Sequence, residues 1–377
     1  MKDQYVILTG SKNNAGDFLI KHRAKQLFSE FRKDREIIDF DRWVEFDEKS
    51  LEIVNNSRAL ILTGGPALQQ AMYPNLYKMT KLDAIKVPII FMGVGWSSKS
   101  GDWSDTYKYT FTPGARELLD RVENSGYLSS VRDYHSLNAL HSSGYNKFLM
   151  TGCPAYYSTQ HIGHDFSEPK IQKVAFSLGV AFNHSKSMEK LVKDNILRCK
   201  EYFSDQEFEV VFHHSIDSSK RDKGVSSSLF DAQKKIEDWL NANGIGYSDI
   251  SGSADNLINY YSSVDMHIGY RVHAHIFMNS ISKFTILLNE DGRGKSIKNV
   301  IGGITIDAYH NYDESYLVRK LNQLYNHDKY ISNKNLTKQL IDEIDYEKLS
   351  HFNRSKIVRK TIDKNFEVMK RFLQQLP

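Results

Sequence analysis

The chain has 377 residues, 40% of them hydrophobic and 25% charged, with a formal net charge of +4. That length favours two domains over one core, and so mild a basic balance excludes a nucleic-acid footprint while suiting acidic small molecules. With Cys153 and Cys199 as the two cysteines, neither a disulfide framework nor a thiolate metal site is expected, and no run reaches the roughly 20 apolar residues of a membrane span.

The opening residues MKDQYVILTG run straight into a strand, so no signal peptide is expected and a cytoplasmic location is the default. Apolar runs at 5–10, 58–65, 87–95, 126–132 and 147–155 read as buried strands, most ending in glycine-bearing turns and separated by helix-length segments. Continuous apolar runs of this kind indicate a parallel sheet covered on both faces. The polar stretch 156–173 lacks periodicity and reads as a linker, after which strands are expected at 173–182, 208–216, 244–252, 264–269 and 283–292. Val358, Ile362, Phe366, Met369 and Leu373 recur at three- and four-residue spacing and mark a C-terminal amphipathic helix. The expected architecture is α/β, with two Rossmann-like lobes of mostly parallel sheet at 1–160 and 161–345 and a helix at 346–377 packed on them.

In open α/β sheets ligands bind beyond the carboxyl ends of the strands. The first such end carries NNAGD, where Asn14 and Gly16 are placed with an anionic donor, because glycine admits close backbone approach and helix N-terminal amides favour an anion. Asp17 is either the helix N-cap or a catalytic carboxylate. Gly65 ends the next strand. After Gly95 and Trp96 a polar, aromatic loop of roughly 15 residues, with Asp102 and Trp103, has the length of a lid or binding loop. Arg132 either binds an anion or pairs with Asp133, and Cys153 reads as a packed residue without an activating partner.

In the second half Asn183 and His214 follow strands and are cleft-facing by position, although adjacent His213 and His214 cannot both face a ligand in an extended chain. The stretch GYRVHAHIF places Arg271 and His273 at a helix N-terminus. Cations at the positive end of a helix oppose the local field unless an anion lies between them. His275 is offset by two helical positions and either joins that site or faces the core. The next strand ends in NEDGRGKS, adding Arg293 and Lys295 as a second cationic cluster. No metal-ligand spacing is present, and none is expected to bind.

Together NNAGDFLI, LTGGP, MGVG, SVRD, TGCPA, IGYRVHAHIF and DGRGKS resemble the polysaccharide pyruvyl transferase family over roughly residues 10 to 305. The resemblance implies a fold similar to the GT-B glycosyltransferases, with phosphoenolpyruvate as donor, a sugar diol as acceptor, and a cyclic pyruvate ketal and phosphate as products. It carries family positions onto Arg271 and His273 and, less directly, onto Asp17 and Arg293. Phosphoenolpyruvate needs two cationic clusters, a general acid for its methylene carbon and a base for the sugar hydroxyl. His273, with an ordinary pKa near 6.5, suits the first role and Asp17 the second. Phosphoenolpyruvate is a co-substrate in this scheme, and no cofactor is required.

Two other readings compete: a GT-B glycosyltransferase using a nucleotide sugar, and a sugar-binding module without catalysis. The acceptor is expected to be a surface polysaccharide or its precursor, lipid-linked or polymeric. The basic residues Lys356, Arg359, Lys360, Lys364, Lys370 and Arg371 beside the C-terminal apolar stripe suit either a solvated helix back or peripheral contact with anionic lipid at the inner face of the membrane.

Overall fold

A computed structural model describes residues 3–10, 15–79, 81–98, 101–220, 225–311 and 330–377. The first lobe runs β1 (Gln4–Thr9), α1 (Ala15–Phe31), β2 (Glu36–Asp41), α2 (Glu48–Asn55), β3 (Ala59–Thr63), α3 (Met72–Asn75), β4 (Ile89–Met92), α4 (Trp103–Tyr107), α5 (Pro113–Glu123), β5 (Ser129–Val131), α6 (Tyr134–Ser142) and β6 (Phe148–Met150). Its parallel sheet has the order β2-β1-β3-β4, and β5 pairs with β6 alongside. The seam between β4 and β5 is closed by a Val94–Val131 bridge and by the hydroxyls of Ser129 and Ser130, which accept from Phe91 N and Gly93 N, each at 2.9 Å.

The second lobe runs β7 (Lys173–Ser177), α7 (Lys186–Tyr202), β8 (Glu207–Phe212), α8 (Ser227–Ala242), β9 (Gly246–Asp249), α9 (Ala254–Ser262), β10 (Met266–Gly269), α10 (Val272–Ser280), β11 (Phe284–Asn289), α11 (Gly292–Ile301) and β12 (Ile304–Asp307). These strands make one parallel sheet of order β12-β11-β10-β7-β8-β9, whose crossovers are the intervening helices. A β13 (Tyr309–Asn311) and β14 (Tyr330–Ser332) pair, α12 (Leu336–Leu349) and α13 (Asn353–Gln374) follow.

Several expectations need correction. Strands β2 and β12 were not anticipated; both are edge strands, and β2 (EIIDFD) interleaves acids with apolar residues. The stretch 156–173 is not a free linker throughout, because Tyr156 and Tyr157 are buried and the Tyr157 ring lies 5.5 Å from that of Phe366. The expected long loop after Trp96 contains α4.

All five residues of the C-terminal apolar stripe are buried, and Phe366 meets Phe31 of α1 at 5.7 Å between ring centroids. Arg359, expected on the basic outer face, is buried instead; it donates to Ser280 O at 3.0 Å and pairs with Asp363. One apolar core runs through the first lobe, α9, α10 and α13, and a second fills the far face of the second sheet. No helix among the described residues is long and apolar enough to cross a membrane.

Candidate active site

The N-termini of α1 and α10 meet between the lobes. Gly269 ends β10 with φ +141°, and a β-carbon there would strike Ser177 O at 2.4 Å. Arg271 then occupies the N-cap of α10 with no side-chain cap, so the first-turn amides receive no side-chain acceptor from it. Its Nε donates to Leu178 O at 2.7 Å and Nη1 to His214 Nε2 at 3.4 Å, while Nη2 is buried without a partner. Burial lowers the Arg271 pKa to about 10.

His273, two residues into the site, is 8% exposed, and its Nε2 is buried without a partner. The other face of the ring abuts α1, since a β-carbon on Gly16 would lie 1.9 Å from His273 Nδ1. Burial, reinforced by Arg293, Arg132 and Arg271, pulls the His273 pKa down to about 3. The ligand-free imidazole is therefore neutral at pH 7, in contrast to the ordinary value expected from the sequence.

Asp17 is the third residue of α1, inside its first turn and not at the N-cap. Burial raises its pKa against the opposing pull of Arg42, Arg293 and Arg132. An acidic group there also suits the positive end of α1.

The remaining expected residues divide into several groups. Arg293 is held by Asp291, with Nε–Oδ1 2.9 Å and Nη2–Oδ2 2.7 Å; its own pKa is raised by that carboxylate. Lys295 does not point at the helix termini but pairs with Asp102 across the lobes at 2.9 Å, both side chains being partly exposed. Arg132 pairs with Asp133 at 3.3 Å and yet acts on both Asp17 and His273; Gly95 lacks the β-carbon that would meet its Nε at 1.9 Å. Gly65 lies under Arg42. Trp96 donates from Nε1 to Ser296 Oγ at 3.1 Å, a second bond between the lobes. Trp103 stacks on His135 at 4.0 Å and 15°, and Trp96 stacks on the other side at 5.4 Å. Asn183 lies in a short 3-10 turn, its Oδ1 buried without a partner. Asn14 lies outside the described residues.

His275 faces the core. Asn279 Nδ2 donates to its Nε2 at 3.1 Å, and its Nδ1 meets Thr285 Oγ1 at 3.0 Å. Thr285 in turn reaches His267 Nδ1, and His267 Nε2 reaches Ser177 Oγ, each at 2.8 Å. Ser177 Oγ also accepts from Arg271 N at 3.0 Å, so this buried relay fixes the turn that carries Arg271. His213 takes the core side too, bonding Tyr261 at 2.7 Å, and leaves His214 to the cleft.

Sequence reading missed Arg42, Glu290, His135, Ser177 and His267. Glu290 accepts from Val180 N and Ala181 N at 3.0 to 3.2 Å beside Arg271. Its position next to Asp291 at a strand end was the available signal. Cys153 is buried, with its thiol pKa pushed up to about 11, which removes it as a nucleophile. Among the described residues no group of three or more His, Cys, Asp or Glu side chains is placed to hold a metal ion.

Comparison with solved structures identifies the fold. The UDP-GlcNAc 2-epimerase of Neisseria meningitidis aligns over 98% of this chain and 100% of its own, at 9% identity and a TM-score of 0.54. A Listeria monocytogenes structure assigned as a UDP-N-acetylglucosamine 2-epimerase aligns over 95% of this chain and 91% of its own, at 9% identity and a TM-score of 0.53. These are GT-B folds, and at such identity the likeness concerns the fold alone. No curated protein matches the chain. The polysaccharide pyruvyl transferase family model matches residues 14–277, from the start of α1 through the helix that bears Arg271 and His273. With more than half of its length so matched, the chain belongs to the polysaccharide pyruvyl transferase family and is a transferase.

Proposed function

We propose that the protein moves pyruvate from phosphoenolpyruvate onto two hydroxyls of one sugar in a surface polysaccharide or its precursor. The observation that carries this reading is the buried Nε2 of His273, without a partner and ringed by Arg271, Arg293 and Arg132 where two helix N-termini meet. A carboxylate and a phosphate on one small molecule suit that arrangement.

In the first step a sugar hydroxyl, losing its proton to Asp17, adds to the enol carbon of the donor. The methylene carbon takes a proton from His273 and becomes a methyl group. The second hydroxyl then displaces phosphate at the same carbon, closing the ketal, and its proton leaves with the phosphate. His273 is neutral before the donor arrives, so the negative charge of the donor must raise its pKa enough to load the proton. No metal and no cofactor take part in this scheme, and the acceptor approaches from the first lobe.

Incubation with phosphoenolpyruvate and, separately, with nucleotide sugars tests the reading by thermal shift. Stabilisation by phosphoenolpyruvate, with phosphate release once a sugar acceptor is added, supports it. A shift with nucleotide sugars alone overturns it.

A further inference from the structure

Arg42 follows β2 at the C-terminal edge of the first sheet. Its backbone is fixed on both sides, N donating to Thr9 O at 3.1 Å and O accepting from Lys78 N at 2.9 Å. The side chain turns inward over β1 and β3: a β-carbon on Gly10 would lie 2.3 Å from Cζ, and one on Gly65 3.5 Å from Nη1. Only 8% of the residue is exposed. Nε is buried without a hydrogen-bond partner, and among the described residues no carboxylate forms an ion pair with the guanidinium. The Trp43 ring lies 4.8 Å from Cζ, and the buried Tyr77 hydroxyl sits beside the guanidinium, which opposes the upward pull of burial on its pKa. The adjacent carboxylates are taken: Asp39 by Lys21 and Lys25, and Asp41 by Trp43 N.

A buried guanidinium that no carboxylate pairs with is unfavourable to folding, and Asp17, a carboxyl it acts on, is itself pushed toward the neutral form by burial, so the retention of Arg42 calls for an anion from outside the chain. Arg42 is also the strongest cationic influence on Asp17, which places it next to the proposed base and on the first-lobe side. We propose that Arg42 receives an oxyanion carried by the acceptor, a phosphate or a carboxylate on the saccharide whose diol faces Asp17. This deepens the pyruvyl-transfer reading and rests on it. The acceptor is then an acidic saccharide, gripped in bidentate fashion by the guanidinium with the Tyr77 hydroxyl as a further donor.

The test compares thermal shifts from glucose 1-phosphate, glucuronate, methyl glucoside and phosphoenolpyruvate in the wild type and in Arg42→Met. Methionine keeps apolar bulk and removes the charge, so the variant should fold with an unchanged or higher Tm; a purely structural arginine would give a lower one. The expected result is stabilisation of the wild type by an acidic sugar, at least tenfold weaker half-saturation in Arg42→Met, and the same phosphoenolpyruvate response in both. A response to glucose 1-phosphate alone assigns a phosphate, and one to glucuronate alone a carboxylate. The proposal falls if neither acidic sugar acts more strongly than methyl glucoside, if Arg42→Met keeps their effect, or if it loses the response to phosphoenolpyruvate instead. Should phosphoenolpyruvate leave the wild type unmoved while acidic sugars bind through Arg42, the pyruvyl reading fails and the anion site stands.

Discussion

Gly16 and His273 touch across the lobes so closely that a β-carbon on residue 16 would overlap the imidazole, 1.9 Å from Nδ1. The residue is inside α1 with no positive φ, so alanine suits its backbone and the clash is the whole effect. Gly16→Ala should turn the ring or part the helix termini by a fraction of an ångström and lower kcat about 100-fold. Wild-type phosphate release from Gly16→Ala would show that the ring position is immaterial.

Arg271 and Arg293 should act on donor binding, and His273 on turnover. Loss of a charged hydrogen-bond donor costs about 1.5–3 kcal/mol, so Arg271→Ala and Arg293→Ala should raise KM for phosphoenolpyruvate roughly 10- to 100-fold. His273→Ala should lower kcat with a smaller change in KM. Phosphate-release kinetics on the three variants decides; a His273→Ala protein with normal kcat would move the acid elsewhere.

Acid should destabilise the protein through its neutral histidines. Burial holds His273 and His275 at about 3, against about 6.5 in an unfolded chain. Between those values the unfolded chain binds protons that the folded chain refuses, so stability falls as pH drops from about 6.5 toward 3, by about 1.4 kcal/mol per pH unit for each such histidine. Asp17 and Glu290, whose pKa values burial raises, act in the opposite sense. The comparison of His273→Asn with the wild type therefore isolates the imidazole. Its urea midpoint should fall less steeply between pH 6.5 and 4.5, and parallel slopes would contradict the assignment.

Donor binding should take up a proton at neutral pH, because His273 is neutral beforehand and is the acid of the proposed reaction. Calorimetry of phosphoenolpyruvate binding in buffers of different ionisation enthalpy should show uptake that disappears in His273→Asn. Uptake that survives the substitution would assign the proton to another group, such as Asp17.

The Lys295–Asp102 pair bridges the lobes in partly exposed positions, with side chains 36% and 56% accessible. Such pairs contribute about 0–1 kcal/mol, so Lys295→Ala should shift Tm by only about 1–2 °C. Donor affinity should change less than threefold. A larger loss of affinity would return Lys295 to the donor.

Much of this arrangement is legible in the chain. Interior strands of a covered sheet bury both faces and read as unbroken apolar runs, which is how β1, β3, β4, β10 and β11 stand out. Edge strands do not. In β2 every second or third residue is an acid, and β12 has four residues. Missing β2 also hid Arg42, whose place at a strand end is invisible without the strand. The motif at 271–273 was readable because cations at a helix start are conspicuous. The relay through Ser177, His267 and His275 was not, since Ser177 lies 90 residues from His267 and the bonds to Thr285 depend on how β10, α10 and β11 pack.

All nine residues of α10 are buried, apolar and polar alike, and the core that encloses the helix belongs to both lobes. A helix enclosed on every side cannot be released by half the molecule while the other half stays intact. Heating should therefore give one calorimetric transition, with equal van't Hoff and calorimetric enthalpies, where a two-lobed outline would suggest two. For evolution the consequence is that these lobes are ill suited to recombination as modules: a transplanted second lobe would arrive with His273 and without the wall that holds its ring in place.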